Sequence, residues 1–383
     1  MSITAAQGFR AAGVAAGLKS SGGLDVALLV NDGPSYEAAG VFTSNRVRAA
    51  PVLWCEQVLR TGQLRAVVLN SGGANACTGP DGFADTHRCA EHLAVELGIG
   101  AIDIAVASTG LIGLRLPMPQ LLSGITAAVA ELSTDGGASA AEAILTTDSV
   151  PKQATVTRDG FTVGGMAKGA GMLAPGLATM LVVITTDAQA DAATLDAALR
   201  NATSVTFNRV DSDGAMSTND TVLLLASGAS GHTPDPAVLT HALTDVCHDL
   251  AQQLLADAEG STKDISITVE QSASIGDAVE VARAIARNNL VKCAFFGADP
   301  NWGRILAAVG TTAAAFDPAD LDVVINGVEV CRAGGIGDDR DTCDLSGRNV
   351  DVRVRLHAGQ HEATVWTNDL SLTYVHENSA YSS

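Results

Sequence analysis

Hydrophobic and polar positions along the chain follow two patterns that alternate. Short, almost continuous apolar runs lead into glycine-rich turns and predict buried strands. Longer runs repeat their apolar positions every three or four residues and predict amphipathic helices. The strands predicted in this way are 25–31, 65–70, 103–108, 180–186 and 221–226. The helices predicted in this way are 84–97, 117–132, 236–258, 278–287 and 304–309. Together the two patterns predict a mixed α/β fold.

Beyond about residue 320 the pattern changes from alternating helices and strands to strands almost alone. A Gly- and Asp-rich stretch over 334–347 interrupts these strands and predicts a loop. The strands predicted here are 323–326, 328–331, 351–356, 363–366 and 372–375. We therefore expect a main domain over 1–295 and a smaller C-terminal α/β domain over 296–383.

Composition narrows the classes of protein that fit this fold. The 383 residues carry a formal net charge of −19 and contain only 23 Lys and Arg. This excludes a nucleic-acid binder that works by bulk electrostatics, and it argues against docking on anionic lipid. No apolar run is long enough to predict a membrane span. We expect a cytoplasmic protein with no nucleic-acid or membrane partner.

Cysteine and histidine spacing gives no support for a bound metal. The seven cysteines include no Cys-x-x-Cys pair, so free thiols in a reducing compartment fit best. The eight histidines show no metal-ligand spacing. A Ca²⁺-like loop over 211–214 has its glycine too early and lacks the terminal Glu. We expect no metal and no cofactor.

The segment 168–181 concentrates glycines, a lysine and a threonine in a short stretch. Positions 169–174 match the dinucleotide fingerprint, but Pro175 breaks the helix that such a fingerprint must open. The simplest interpretation is a glycine-rich loop that enters a buried strand. A second interpretation is chemical, because Ala178-Thr179 places a hydroxyl after a small residue and a rigid turn.

A strained turn at this point would let the Thr179 hydroxyl attack the Ala178 carbonyl and shift the acyl group from nitrogen to oxygen. Hydrolysis of that ester frees a threonine at a new chain start. Its α-amine, with an ordinary pKa of about 7.7–8.0, can act as the base for its own hydroxyl. Nucleophile and base are then one residue, an arrangement suited to acyl transfer.

Motifs spread over almost the whole chain give this chemical interpretation its weight. In chain order they are Asn70-Ser-Gly-Gly-Ala-Asn-Ala-Cys-Thr-Gly79, Ser108-Thr-Gly-Leu-Ile-Gly113, Thr146-Thr-Asp148, Ser217-Thr-Asn-Asp-Thr221, Ala258-Glu-Gly260, Asp299-Pro-Asn-Trp-Gly-Arg304 and Glu377-Asn-Ser-Ala-Tyr-Ser-Ser383. With the segment 168–181 they resemble the ornithine acetyltransferase (glutamate N-acetyltransferase) family, most closely its actinobacterial branch. The resemblance implies the layered αββα sandwich of the DmpA and ornithine acetyltransferase type, with a smaller C-terminal domain whose tail returns to the site.

The resemblance also implies a set of site residues. The precursor is expected to cut itself between Ala178 and Thr179, and Thr179 is the implied nucleophile. Thr109 and Gly110 fall on the implied oxyanion hole, where acyl transfer uses two donors that contribute about 3 kcal/mol each. The implied substrate contacts are Thr146, Lys168, Thr179, Glu259, Asn378 and Ser383.

The implied reaction is a double displacement. N2-acetylornithine acetylates Thr179 and ornithine leaves, after which glutamate takes the acetyl group as N-acetylglutamate. Lys168 and Glu259 would offset the charged tails of the two amino acids. Because a net charge of −19 repels glutamate at long range, we expect a local cation at the site. The resemblance implies that the α chain 1–178 and the β chain 179–383 stay associated, and we expect a homo-oligomer of αβ units, a heterotetramer.

Three alternatives stay open at this point. An N-terminal-nucleophile aminopeptidase or amidase would share the self-cleavage but use water as acceptor. A related transferase of a secondary-metabolite pathway would carry similar motifs, and a binding protein that retains the fold would stay uncleaved. Acetyl-CoA is a further candidate donor, which would make the protein an N-acetylglutamate synthase as well. Since no basic cluster or nucleotide-binding loop is evident, we expect acetyl-CoA to be a poor donor or none.

Overall fold

The computed structural model describes residues 2–174 and 180–380. Two compact units divide these residues. The first unit is built from 2–172, 180–208 and 215–254, and the second mainly from 209–214 and 255–380. The ends of the helices and strands follow from the apolar pattern and from capping residues.

The strands within the described residues are β1 Phe9–Val14, β2 Val26–Asn31, β3 Ala38–Phe42, β4 Ala66–Ser71, β5 Ile104–Thr109, β6 Lys152–Arg158, β7 Phe161–Lys168, β8 Leu181–Thr186, β9 Thr221–Ala226, β10 Asp264–Ser272, β11 Asp322–Ile325, β12 Val328–Arg332, β13 Gly335–Ile336, β14 Asn349–Arg355 and β15 His361–Asn368. The α-helices are α1 Ala50–Val58, α2 Gly79–Leu97, α3 Met118–Ala130, α4 Gly137–Ala143, α5 Ala192–Val205, α6 Pro236–Ala256, α7 Ile275–Ala286, α8 Asn289–Phe296, α9 Trp302–Val309 and α10 Leu372–Ala380.

The first unit contains two sheets. One has the order β1-β2-β4-β5 and the other the order β3-β9-β8-β7-β6. In the first sheet β4 and β5 run parallel, with Ser71 opposite Thr109. In the second β8 and β9 run parallel, with Leu181 opposite Thr221. Parallel neighbours bring their carboxyl ends to the same edge of the sheet, so each of these pairs presents its loops together.

The two sheets of the first unit share one hydrophobic core. Leu28 and Val67 of the first sheet join Leu181 of the second in that core, together with side chains of α2 and α3. On the far side of the second sheet, Gly165 of β7 leaves room for Leu250 of α6. The layers therefore run helix, sheet, sheet, helix, which is the αββα sandwich that the family resemblance implies.

Strands β2, β4, β5, β8 and β9 are buried along their whole length. Continuous burial explains why the apolar runs alone predicted them within one residue at each end. Helix α2 begins five residues before its predicted start at residue 84, because Pro80 suits the first turn of a helix. The predicted mixed α/β fold is confirmed.

The second unit packs helices on a sheet of order β13-β12-β11-β14-β10-β15. Ile267 of β10, Val352 of β14 and Ile285 of α7 lie in its core. The strand predicted at 372–375 is wrong, because these residues begin α10. Ser371 caps that helix by accepting the backbone N–H of Tyr374 on its hydroxyl at 2.9 Å.

None of the helices in the described ranges combines the length and the apolar character that crossing a membrane would require. The longest, α6, instead has the spaced apolar positions of an amphipathic helix, with Leu239, Leu243 and Leu250 buried.

Candidate active site

Strand β5 ends in a threonine and a glycine whose backbones are tightly held. The carbonyl of Thr109 accepts the backbone N–H groups of Gly72 and Gly73, each at 3.0 Å. Gly110 has a φ of +132°, and a Cβ there would lie 2.6 Å from the Gly73 nitrogen. Only glycine fits this position without strain. The N–H of Gly110 makes no hydrogen bond to any other described residue, so it is available to a ligand.

Strand β7 ends in Lys168, which is only 2% exposed. Its Nζ donates to the Thr146 hydroxyl at 2.7 Å and to the Thr109 hydroxyl at 3.4 Å. Three residues that the resemblance singles out are thus brought together at one place in the first unit. Because Lys168 is the donor to Thr109 Oγ1, the Thr109 hydroxyl keeps its own proton to donate elsewhere.

Asp148 contacts this cluster. No role was predicted for Asp148 from the sequence. Its side chain is fully buried, and its Oδ1 accepts Lys152 Nζ and the backbone N–H of Gly169, each at 2.6 Å. Its Oδ2 lies 3.6 Å from Lys168 Nζ. Burial by itself raises the pKa of Asp148, but Lys168, Lys152 and these hydrogen bonds hold it well below its ordinary value. Asp148 is therefore ionised and orients both lysines.

Lys152 and Lys168 are both buried, and a third lysine lies close by. Lys19 is half-buried, donates to the Leu24 carbonyl at 2.7 Å, and interacts electrostatically with Lys168 and Asp148. Burial lowers the pKa of Lys19, and the neighbouring Asp25 opposes that shift. The local cations that the sequence led us to expect are these lysines, which gather in a protein of net charge −19.

The segment 217–221 supplies a second polar region beside the same strand ends. Asn219 donates from its amide to the Ser108 carbonyl at 2.8 Å and to the Ala74 carbonyl at 2.6 Å. Asp220 accepts the backbone N–H of Met180 at 3.2 Å. Burial raises the pKa of Asp220 well above its ordinary value. We call Thr109, Gly110, Thr146 and Lys168 the candidate active site, with segments 146–148 and 217–221 beside it.

In the second unit Glu259 and Asn378 meet directly. Asn378 donates from its amide to Glu259 Oε2 at 3.0 Å. Gly260, with a φ of +61°, has no Cβ and lets the backbone of Tyr374 in α10 approach closely. The hydroxyl of Ser371 donates to the Gly260 carbonyl at 2.5 Å. The glycine after Glu259 is therefore what allows α10 to bring Asn378 to the carboxylate.

Glu259 also borders a cavity of about 300 Å³ within the second unit. Tyr374, Lys292 and Arg287 line the same cavity. Burial, with the charges of Asp213 and Glu259, raises the pKa of Tyr374 to about 12, so its phenol stays protonated at neutral pH. Burial lowers the pKa of Lys292 to about 8.

Three of the residues implied by the resemblance, Ala178, Thr179 and Ser383, lie outside the described residues. Asp148, Lys152, Asn219 and Asp220 are the functional candidates that sequence reasoning missed. Each is a polar residue beside a buried strand or strand end, and that contrast is the signal that could have found them. Within 2–174 and 180–380 no group of three or more His, Cys, Asp or Glu is placed to hold a metal ion.

The arrangement in the first unit suits acyl transfer. A hydroxyl and a backbone N–H lie on neighbouring residues at the end of β5, and acyl transfer uses two donors of this kind around one oxygen atom. The buried Lys168 adds positive charge to the same place, where a low dielectric strengthens its effect on a developing anion. Asp148 and Lys152 hold Lys168 in position.

Comparison with known proteins agrees with this chemistry. A family model described as the ArgJ family matches residues 10–383. A Streptomyces coelicolor protein named arginine biosynthesis bifunctional protein ArgJ is 64% identical over 383 residues, covering 100% of both chains. A Thermobifida fusca protein of the same name is 63% identical over 382 residues, again covering 100% of both. One from Mycobacterium tuberculosis is 58% identical over 389 residues, covering 100% of this chain and 96% of that relative.

Solved structures also match parts of the chain. The crystal structure of ornithine acetyltransferase complexed with ornithine, from Mycobacterium tuberculosis, is 61% identical with a TM-score of 0.45. It covers 47% of this chain and 96% of its own. The arginine biosynthesis bifunctional protein ArgJ from Bacillus halodurans is 36% identical with a TM-score of 0.49, covering 51% of this chain and 97% of its own.

Proposed function

The chain belongs to the ArgJ family, and on that premise we propose that it is a glutamate N-acetyltransferase of arginine biosynthesis. It transfers the acetyl group of N2-acetyl-L-ornithine to L-glutamate and releases L-ornithine and N-acetyl-L-glutamate. One amide is exchanged for a similar amide, so the reaction needs no activated donor. An acetyl ester on the enzyme divides the difficult amide exchange into two easier steps.

Thr179 is the proposed nucleophile. The chain cuts itself between Ala178 and Thr179, and the freed α-amine then takes the proton from the threonine hydroxyl as that oxygen attacks the acetyl carbon. The proton passes to the departing ornithine nitrogen when the carbon–nitrogen bond breaks. In the second half, the glutamate amine attacks the ester and the threonine oxygen takes back a proton.

One observation carries the proposal, namely the donor set at the end of β5. The Lys168 ammonium donates to the Thr109 and Thr146 hydroxyls, and the N–H of Gly110 has no partner among the described residues. In each tetrahedral intermediate the acetyl oxygen becomes negative. The Thr109 hydroxyl and the Gly110 N–H are then the donors that stabilise it, and Lys168 contributes its charge.

Substrate contacts form the second part of the proposal. We propose Thr146, Lys168, Thr179, Glu259, Asn378 and Ser383 for this role. Lys168, supported by Asp148, suits a carboxylate of the substrate, since a buried ammonium attracts an anion strongly. Glu259, oriented by the amide of Asn378, suits the ammonium of ornithine.

Intact mass spectrometry tests the nucleophile and the cleavage together. The purified wild-type chain should appear as two chains, 1–178 and 179–383. Brief incubation with N-acetylornithine should add the mass of one acetyl group to the chain that begins at Thr179. Thr179→Ala should stay full length, because the attacking hydroxyl is gone. Thr179→Ser, which keeps a hydroxyl, is the matched control and should still cut. Cleavage of Thr179→Ala at this bond would refute self-processing.

A second assay separates the transferase from its alternatives. Processed enzyme is mixed with glutamate and either N-acetylornithine or acetyl-CoA, and N-acetylglutamate is followed in both. We expect fast product in the first mixture only. Since the relatives are named bifunctional, the second mixture tests acetyl-CoA as a further donor. Release of acetate without N-acetylglutamate would instead identify a hydrolase of the aminopeptidase or amidase class.

Several predictions of organisation stay proposals. They are the association of α and β chains, a heterotetramer of αβ units, and a cytoplasmic location. The division into a catalytic domain over 1–295 and a smaller domain over 296–383 is a proposal as well. Size-exclusion chromatography with light scattering on the processed protein measures the first two directly.

A further inference from the structure

The segment 217–221 makes hydrogen bonds beside two strands, β5 and β8, which have separate roles in the proposed mechanism. Asn219 is 3% exposed and donates to the carbonyl of Ser108, the residue before Thr109 in β5. It also donates to the carbonyl of Ala74, in the loop that follows β4. One side chain of this segment therefore fixes the backbone beside the proposed oxyanion donors.

The next residue of the segment holds the start of β8. The parallel pairing of β8 and β9 begins at Leu181 opposite Thr221, so Met180 lies just before the ladder. The Met180 carbonyl accepts the backbone N–H of Thr221 at 3.1 Å. The backbone N–H of Met180 donates to Oδ1 of Asp220 at 3.2 Å. A carboxyl group thus takes the place that a strand carbonyl would occupy if the ladder continued.

The surroundings of Asp220 are unusual for a carboxyl group. Asp220 is 0% exposed, and its Oδ2 has no hydrogen-bond partner in the part of the chain that the structure describes. Burial raises its pKa well above the ordinary value, and the hydroxyls of Ser217 and Thr43 and the charge of Lys168 oppose that shift only partly.

We propose that Asp220 is a positioning residue that holds the first peptide group after Thr179, and so sets the geometry in which the chain cuts itself. The inference rests on the proposed function of Thr179. Met180 N is bonded directly to the carbonyl carbon of residue 179 at about 1.33 Å, so the group that holds the Met180 N–H acts one covalent bond away from the proposed nucleophile.

Self-cleavage is sensitive to such positioning. A bond forms between the Thr179 oxygen and the Ala178 carbonyl carbon, the bond from that carbon to the Thr179 nitrogen breaks, and the hydroxyl proton ends on the nitrogen. Water then hydrolyses the ester. No other reactant is needed. A misplacement of about 1 Å in such an attack costs on the order of 10²-fold in rate.

The first unit offers a matched control at the other end of β8. Asp187 follows Thr186, the last residue of that strand, and is also buried. It accepts the backbone N–H groups of Thr162 at 2.7 Å and Gln7 at 3.1 Å. Replacing Asp187 removes the same kind of carboxyl-to-backbone bond, here made to residues 7 and 162, at the opposite end of β8 from Met180.

The test follows the fraction of full-length chain against time after a pulse of cell-free synthesis, using intact mass. Asp220→Ala should slow cleavage about 10²-fold. Asp220→Asn keeps a neutral acceptor for Met180 N–H and should cleave within about threefold of wild type. Asp187→Ala should cleave at the wild-type rate, even where its melting temperature falls as far as that of Asp220→Ala.

Three results would overturn the inference. One is an Asp220→Ala chain that cleaves like wild type, and another is an Asp187→Ala chain that slows equally, since that makes the effect one of stability. A blocked Asp220→Asn chain also contradicts it, and this variant gives an answer even if Asp220→Ala fails to fold. A wild-type chain that stays intact refutes the proposed function itself, which distinguishes that failure from a failure of Asp220.

Discussion

The segments 146–148 and 217–221 each bring a buried aspartate to the candidate active site, and they hold it in opposite ways. Asp148 contacts two buried lysines and a backbone N–H, and its pKa lies well below the ordinary value. Asp220 contacts a backbone N–H without an ion pair among the described residues, and its pKa lies well above it. Both carboxyl groups are buried, so the opposite directions of their pKa shifts come from their different partners.

This difference assigns a separate task to each segment. The segment 146–148 controls charge, because ionised Asp148 fixes the position of Lys168 against Thr109 and Thr146. The segment 217–221 controls backbone position, because Asn219 and Asp220 bind main-chain groups. A site that stabilises a transient anion needs both a fixed cation and fixed donors.

The same isosteric substitution in the two segments should give the largest contrast. Asp148→Asn removes the charge that Asp148 sets against the buried Lys152 and Lys168, so it should lower the free energy of unfolding by about 3–5 kcal/mol. Asp220→Asn removes a carboxyl group whose raised pKa costs stability once the unfolded chain ionises, so it should keep or raise that free energy at neutral pH. Urea unfolding followed by circular dichroism measures both.

An exposed ion pair supplies the control for that contrast. Asp196 pairs with Arg200 one turn along α5, and both side chains are largely exposed. Asp196→Asn should cost less than about 0.5 kcal/mol. If Asp148→Asn were as mild as Asp196→Asn, the buried lysines would not depend on Asp148, and the contrast between the segments would be lost.

Both segments influence Thr109. Substitution of Thr109 should have the next largest effect. Thr109→Ala removes the proposed oxyanion donor, which would meet charge only in the tetrahedral state, so kcat should fall about 10²-fold with KM little changed. Thr109→Ser keeps the hydroxyl and should retain most of the rate. Steady-state kinetics on fully processed protein measures this, and a loss confined to KM would make Thr109 a ground-state binding residue instead.

The pH dependence of stability should have opposite signs for the two aspartates. Above the ordinary value of 3.8 an unfolded Asp220 loses its proton while the folded one keeps it, so its contribution falls as pH rises. For Asp148 the contribution is present above 3.8 and is lost as pH falls toward its depressed folded pKa.

Unfolding free energies of wild type and Asp220→Asn, measured from pH 4.5 to 8, isolate the first of these effects. The difference between them should grow by at most about 1.4 kcal/mol per pH unit until the raised pKa is passed, and then stay constant. Parallel curves over the whole range would mean that Asp220 ionises normally in the folded protein.

How far the sequence predicts the fold depends on how each strand is buried. Strands β2 and β8 are apolar throughout, and their pattern alone predicted them. Strand β7 was missed, since Gly164 and Gly165 at its centre weaken a strand pattern although they let neighbouring elements pack closely. The error at 372–375 arose because a short apolar run fits a strand or the first turn of a helix equally well.

The site was less predictable than the fold from the residues themselves. Thr109, Thr146 and Lys168 were singled out through a resemblance, since a hydroxyl or a lysine beside a strand has many ordinary explanations. The tasks of Asp148 and Asp220 depend on contacts that periodicity does not encode. The partner of Asp220 lies 40 residues earlier in the chain, and sequence spacing alone gives no measure of such a contact.

The close approach at Gly110 also limits how this enzyme can evolve. Position 110 admits no side chain, since a Cβ would meet the Gly73 backbone 2.6 Å away. Leu111 and Ile112, the next two residues, are 41% and 45% exposed. A lineage or a mutant library can therefore vary positions 111 and 112, directly beside position 110, which has to stay glycine. New side chains can accumulate at 111 and 112 while the proposed oxyanion donor at 110 stays in place.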